Sequence, residues 1–266
     1  MIVINNTCTD YNEGAFRFWN FEKYASQAKD CILFLGCEPH SSIKNSSTKP
    51  KYFFSTEEQP DPRDTTYKYE PFVDKIFTIC PIIQGRPKRE YVYYPLPAPE
   101  HIPKINEKRY DVIYVGYSVN APFIQNIMSI IRKMNHRFVS YDHPLATNKN
   151  VTFKHKMELI GESRIAVVHN LLTPDKPQLK TRSFEAAIMK SLILCKRDQF
   201  GTIEKWFEPN KEFVYYDKDE DLQSRILDIL KNYSLYQSII DAAYARVQNY
   251  TIEKFVQTYI GWKEGL

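Results

Sequence analysis

Between Lys180 and Glu185 the chain reads KTRSFE, placing two cations, two hydroxyls and one carboxylate side by side. The segment around it, Arg164 to Tyr216, runs from an apolar stretch ending in His169 and Asn170, through a loop broken by Pro174, to this run and then a second apolar stretch. That order reads as strand, loop, helix, strand. At a helix start, Lys180, Thr181, Arg182 and Ser183 surround first-turn N–H groups, where the helix dipole favours an anion such as a diphosphate. Lys180 or Arg182 can pair with phosphate, and Thr181 or Ser183 can cap the helix. Glu185 is expected in the first turn, where its carboxylate can accept hydrogen bonds from sugar or ribose hydroxyls. A capping box on an ordinary amphipathic helix would use the same letters; the neighbouring elements favour the anion site.

A second candidate is YDVIYVGYS, Tyr110 to Ser118, an apolar strand that ends at Gly116 ahead of a helix. Ligands of open α/β sheets bind where loops leave the carboxyl ends of strands. Gly116 would let a ligand approach the backbone closely, with Ser118 beside it. The chain has no G-x-G-x-x-G run, which argues against a dinucleotide fingerprint. In the N-terminal half, Glu57 and Glu38 follow apolar strands and are suited to deprotonating an acceptor hydroxyl. His40 would support them, and Asp10 is a weaker candidate. Arg86, Lys88 and Arg89 form the basic cluster that would touch phosphates of a nucleic-acid acceptor. The acidic run Asp217 to Asp221 reads as a helix start, because Leu222 stands where a calcium loop needs glycine.

Alternating strands and helices must position these residues. Short strands are expected at Ile2–Ile4, Cys31–Leu35, Lys51–Thr56, Asp74–Cys80 and Tyr91–Tyr94, with a helix over Glu13–Ala28. Pro95, Pro97, Pro99 and Pro103 then favour an extended connection. The alternation restarts at Tyr110–Val115 and continues through helices at Pro122–Met134 and Lys154–Ser163. Strands at Phe138–Tyr141, Arg164–Val168, Leu192–Cys195 and Phe213–Tyr216 accompany them. The expected organisation is an N-terminal domain over 1–95, a linker over 96–108, a second domain over 109–250 and a C-terminal helix over 251–266.

With 266 residues the chain can bury two small cores. A hydrophobic share of 43% beside 26% charged residues is that of an ordinary globular protein. A net charge of +4 suits phosphate-bearing ligands but is weak for a nucleic-acid binder. The odd set Cys8, Cys31, Cys37, Cys80 and Cys195 contains no C-x-x-C pair; Cys31, Cys80 and Cys195 lie in apolar runs and are expected as buried free thiols, and a metal site is not expected. MIVINNTCTD lacks the form of a signal peptide, and no apolar run is long enough to span a bilayer. A cytoplasmic location is expected.

The order of elements from Arg164 to Asp221, with KTRSFEAA at its centre, resembles the nucleotide-sugar-binding half of GT-B glycosyltransferases. Within that group it looks most like the CgeB-like, group 1-type C-terminal domain. The resemblance implies an α/β fold of two Rossmann-like domains whose parallel sheets face a cleft. It also implies transfer of a sugar from a nucleotide-sugar donor, with UDP or GDP as the nucleotide, to an acceptor hydroxyl of a saccharide, with no metal required. Gly116, Ser118, His169, Asn170, Lys180, Thr181, Arg182, Ser183 and Glu185 would line the donor. Two departures stand out: Ile193 replaces the second of two glutamates that retaining group 1 enzymes carry, and Lys190-Ser191-Leu192 replaces their glycine-containing turn. The alternatives are glycosylation of a modified base in DNA, which the Lys/Asn/Tyr-rich composition of a phage or viral enzyme would suit, and a nucleotide- or sugar-binding module without catalysis.

Overall fold

The computed structural model describes residues 1–5, 19–36, 40–56, 65–83, 85–116, 122–140, 145–149, 151–173 and 175–264. The chain divides into two compact units. The first comprises Met1–Ala98, Pro174–Leu179 and Tyr250–Leu266; the second comprises Pro99–Thr173 and Lys180–Asn249.

The first unit is built on a parallel sheet of β1 (Ile2–Asn5), β2 (Ile32–Gly36), β3 (Lys51–Ser55), β4 (Lys75–Thr78) and β5 (Arg89–Tyr91), hydrogen-bonded in that order. Strands buried on both faces need near-continuous apolar runs, and ILFLG and KYFFS supply them. Among the described residues the connections are mostly single 3-10 turns, with one short helix, α1 (Thr65–Tyr69). The helix expected over Glu13–Ala28 falls partly outside the described residues. From Trp19 onward it is replaced by the 3-10 turn Phe21–Tyr24, capped by Asn20 accepting from the Lys23 N–H at 3.1 Å. Trp19 and Phe21 are both buried, and an α-helix would turn residues two apart to different faces. Trp19 instead reaches inward to donate Nε1–H to the Pro95 carbonyl at 2.8 Å. The strand expected at Tyr91–Tyr94 ends at Tyr91, since Pro95 and Pro97 bring no N–H to a ladder.

The second unit carries β6 (Tyr110–Val115), β7 (His136–Ser140), β8 (Asn148–Lys149), β9 (Ser163–Val168) and a short β10 (Leu171–Thr173). The segment 174–179, with β11 (Lys176–Pro177), counts with the first unit; β12 (Leu192–Lys196) and β13 (Val214–Tyr216) complete the second. Its six-stranded sheet is ordered β13-β12-β9-β6-β7-β8, every pair parallel. Counted along the chain, this is the 3-2-1-4-5-6 order of a doubly wound fold, and its direction of winding reverses between β6 and β9. One sheet face places Val112, Tyr114, Ile165, Val167, Leu192, Leu194 and Val214 in a common core with Ile127, Met128 and Ile131 of α2 (Pro122–Ile131). The remaining helices are α3 (Phe153–Gly161), α4 (Thr181–Ile188), α5 (Leu222–Lys231) and α6 (Gln237–Val247). The α/β class and the Rossmann-like second half expected from the sequence are both present.

The last segment returns to the first unit. There α7 (Ile252–Phe255) and a π-turn over Val256–Ile260 put the Phe255 ring 5.1 Å from Phe77, 5.4 Å from Phe54 and 5.6 Å from Phe21, centre to centre. No described helix is long and apolar enough to cross a membrane. Cys31, Cys80 and Cys195 are buried free thiols.

Candidate functional site

The carboxyl ends of β6 and β9 flank the reversal point of the second sheet, and the N-terminus of α4 follows the end of β9. The cap position of α4 is taken by Lys180, in extended backbone, and no side chain caps the helix. Neither Thr181 nor Ser183 plays the capping part open to it in the sequence: both lie inside the helix, as its first and third residues. The Ser183 N–H donates to the Lys180 carbonyl at 3.3 Å, and the N–H groups of Thr181 and Arg182 are left for another acceptor. Asn170, at the end of β9, ties helix to strand by accepting the Lys180 N–H at Oδ1 across 3.2 Å, while its Nδ2 contacts Cys195 Sγ at 3.4 Å.

Arg182 lies with its guanidinium 5.9 Å from the centre of the buried Tyr114 ring on β6. Burial pushes the Tyr114 phenol up while the neighbouring Arg182 charge pulls it down. Ser183 is fully buried, and its hydroxyl has no hydrogen-bond partner among the described residues. Glu185 sits one turn deeper than expected, as the fifth residue of α4, and is 2% exposed. Its Oε1 receives the Lys156 ammonium of α3 at 2.8 Å. Its Oε2 is buried and unpartnered among the described residues.

Just past the end of β9, His169 Nδ1 lies 3.1 Å from the Leu171 carbonyl oxygen and 3.3 Å from the Leu171 nitrogen, whose N–H it accepts in the tautomer protonated at Nε2. Burial, reinforced by the Arg182 and Lys196 charges, brings its imidazole down to about 4 against the favourable pull of the Leu171 backbone and Asp219. His169 is therefore a neutral ring at physiological pH. Lys196, at the carboxyl end of β12, pairs with Asp219 at 2.9 Å and lies 5.2 Å from the Tyr216 ring. The Tyr216 hydroxyl is buried without a partner among the described residues. Together these groups bring to the strand ends the Arg182 guanidinium, the Lys196 ammonium paired with Asp219, a neutral imidazole and buried hydroxyls, an inventory suited to a polyanion bearing hydroxyl groups.

Gly116 has a packing reason of its own. A Cβ there would meet the Tyr114 ring at 2.2 Å, and the Gly116 N–H is already donated to the Val139 carbonyl at 3.0 Å. Ser118 lies outside the described residues, as do Glu57, Glu38 and Asp10. His40 is exposed and caps the 3-10 turn Ser41–Lys44 by accepting the Ser42 N–H at 3.2 Å. In the basic cluster, Arg89 is buried and paired with Glu70 at 2.6 Å. Lys88 donates to the Glu70 and Val73 carbonyls, and the exposed Arg86 lies over the Tyr67 ring and bonds its hydroxyl. No group of three or more His, Cys, Asp or Glu that could hold a metal occurs among the described residues.

Sequence reasoning missed Lys156, Tyr114, Lys196 and Tyr216. The last three had a legible signal, since each lies in the final residues of an apolar strand of the doubly wound half. Lys156 had none.

Residues 125–261, about half the chain, match a family model described as glycosyl transferase-like. No curated protein matches the chain. Anabaena HepE, solved with UDP-glucose, superposes with a TM-score of 0.63 at 8% identity, over 96% of this chain and 97% of that one. The N-terminal domain of Candida albicans trehalose-6-phosphate phosphatase gives 0.60 at 11% identity, over 90% and 71%. An S. aureus TarM variant, solved with fondaparinux, α-GlcNAc-glycerol and UDP, gives 0.56 at 13% identity, over 89% and 56%. The chain thus spans little more than half the length of TarM and nearly all of HepE. At these identities the likeness shows a shared fold, the GT-B architecture.

Proposed function

The chain belongs to the glycosyl transferase-like family, and from that membership we propose that it transfers a sugar from a nucleotide-sugar donor to a saccharide hydroxyl. One observation carries the reading. At the reversal point of the second sheet, the helix α4 opens without a side-chain cap and carries Arg182 and Lys180 at its mouth. That end offers a leaving diphosphate both N–H donors and cations, which stabilise the charge that builds on it in the transition state. Glu185, one turn down the helix, accepts donor hydroxyls, and neutral His169 donates to a phosphate or sugar oxygen without adding charge. The leaving group is stabilised by these residues with no metal step invoked. UDP is the favoured nucleotide, on the strength of the UDP and UDP-glucose complexes of TarM and HepE. Within the family, the order of elements from Arg164 to Asp221 supports reading this half as a CgeB-like, group 1-type domain. Deprotonation of the acceptor falls to Glu57 or Glu38.

A thermal-shift screen of wild type and Arg182→Ala against UDP, GDP, ADP, CMP and their sugar conjugates tests this reading, because a ligand that binds only the native state raises the melting temperature. One nucleoside diphosphate should stabilise wild type and not the variant. A flat response to every nucleotide would overturn the donor assignment. Turnover with the conjugate of the nucleotide that binds then separates an enzyme from a module that only binds.

A further inference from the structure

Glu185 presents an unusual balance of contacts. It is 2% exposed; among the described residues its charge is met by a single lysine on another helix, and its second oxygen is buried with nothing to accept from. An ionised carboxylate is an acceptor only, with about four lone-pair sites, and native structures leave few buried acceptors empty. A pair kept for stability alone would gain little over apolar side chains of similar size. Lys156 is itself well held: its side chain is 14% exposed and its ammonium lies 4.7 Å from the Phe153 ring centre.

We propose that Lys156 is a positioning residue that locks the Glu185 carboxylate so that Oε2 receives a vicinal diol of the donor. The inference rests on the reading of Glu185 as the hydroxyl acceptor. A carboxylate turns about a broad, roughly two-fold torsion; engaging Oε1 with the ammonium makes the two oxygens inequivalent and fixes which one faces the ligand. Because Lys156 already balances the charge, the group that completes Oε2 is a neutral donor, a hydroxyl rather than an ammonium. Thr181 and Glu185 are one helical turn apart, about 6 Å along the axis. That is the scale separating the diphosphate of a nucleotide from its ribose diol, so a diphosphate at the helix mouth brings the diol to Glu185.

The experiment measures binding of UDP, 2′,3′-dideoxy-UDP and UDP-glucose by calorimetry to wild type, Lys156→Met, Lys156→Arg and Glu185→Gln. Wild type should prefer UDP to its dideoxy analogue by about tenfold or more. Lys156→Met and Glu185→Gln should both reduce that preference to about twofold, mostly by weakening UDP, and Lys156→Arg should restore part of it. Loss on UDP, which has no hexose, assigns the ribose diol; loss confined to UDP-glucose assigns the hexose diol. If wild type distinguishes neither the diol nor the hexose, the reading of Glu185 itself falls. If wild type and Glu185→Gln behave as stated while Lys156→Met keeps the full preference, the positioning role alone falls, and Lys156 is a structural ion-pair partner. Should Lys156→Met fail to fold, Lys156→Gln, which keeps a donor and removes the charge, makes the same discrimination.

Discussion

Asn170 Oδ1 accepts the Lys180 N–H across 3.2 Å, so a residue two past the end of β9 also holds the cap residue of α4. Of the nine residues between them, 174–179 count with the first unit, and this bond ties the two ends of the excursion together. Asn170→Ala should lower stability by about 1–2 kcal/mol, the range for a lost buried hydrogen bond. It should also weaken nucleotide binding, because the first turn is no longer anchored. Asn170→Asp, which keeps the acceptor, should retain more of both. Denaturant titration and calorimetry on the two variants check this.

Arg182 serves a ligand more than the fold, since its guanidinium rests against Tyr114 near the helix mouth and is not spent on a carboxylate among the described residues. Arg182→Ala should cut nucleoside-diphosphate affinity by roughly ten- to a hundredfold, from the loss of charge-assisted bonds worth about 1.5–3 kcal/mol. The unliganded melting temperature should move by only about 2–4 °C. A large loss of stability with affinity retained would make Arg182 a structural residue.

His169 gives the fold a dependence on acid. The folded imidazole ionises near 4, against 6.5 in the unfolded chain, so between those values the unfolded chain binds the extra proton. Stability contributed by neutral His169 is therefore complete above about pH 6.5, falls as the pH drops through that window, and levels off below 4. The full loss is on the order of 3 kcal/mol. Urea midpoints measured across this range should decline less for His169→Gln than for wild type.

The C-terminus of α4 ends in a Schellman arrangement: Ser191 N–H donates to Ala186 O at 2.9 Å and Lys190 N–H to Ala187 O at 3.1 Å. Lys190 holds the left-handed position there, with φ +54°, where glycine is the residue without a steric penalty. Lys190→Gly should stabilise the second unit by about 0.5–1 kcal/mol. The gain is reduced by loss of the contact between the Lys190 ammonium and the Tyr244 ring at 4.4 Å. Thermal unfolding of the variant checks the sign.

The doubly wound unit was legible because parallel strands covered on both sides leave uninterrupted apolar runs, and RIAVV and LILC admit few other readings. The mouth of α4 was legible for a similar reason, since cations and hydroxyls crowd a helix start. The cap was placed at Thr181 or Ser183, one or three residues too far along, because both carry capping side chains whereas Lys180 takes the position by backbone geometry alone. Glu38 and Glu57 fall outside the described residues. The pairing of Lys156 with Glu185 left no trace in the sequence, because it joins two helices through a contact whose partners share no spacing rule. The 3-10 turn at Phe21 escaped for a different reason: apolar residues at helical intervals also suit a compact turn when Trp19 is drawn toward Pro95.

The return of Tyr250–Leu266 to the first unit bears on how the protein is made. Synthesis runs from the N-terminus, and domains generally fold as they emerge. Here the strands around Phe54 and Phe77 emerge before the second unit, yet the ring that packs against both, Phe255, emerges only after it. The second unit, complete by Asn249, can fold first while the earlier-made half waits with an open core. Until Phe255 emerges, the nascent chain therefore exposes the apolar face that this ring will cover, and apolar surface exposed in that way is prone to aggregation.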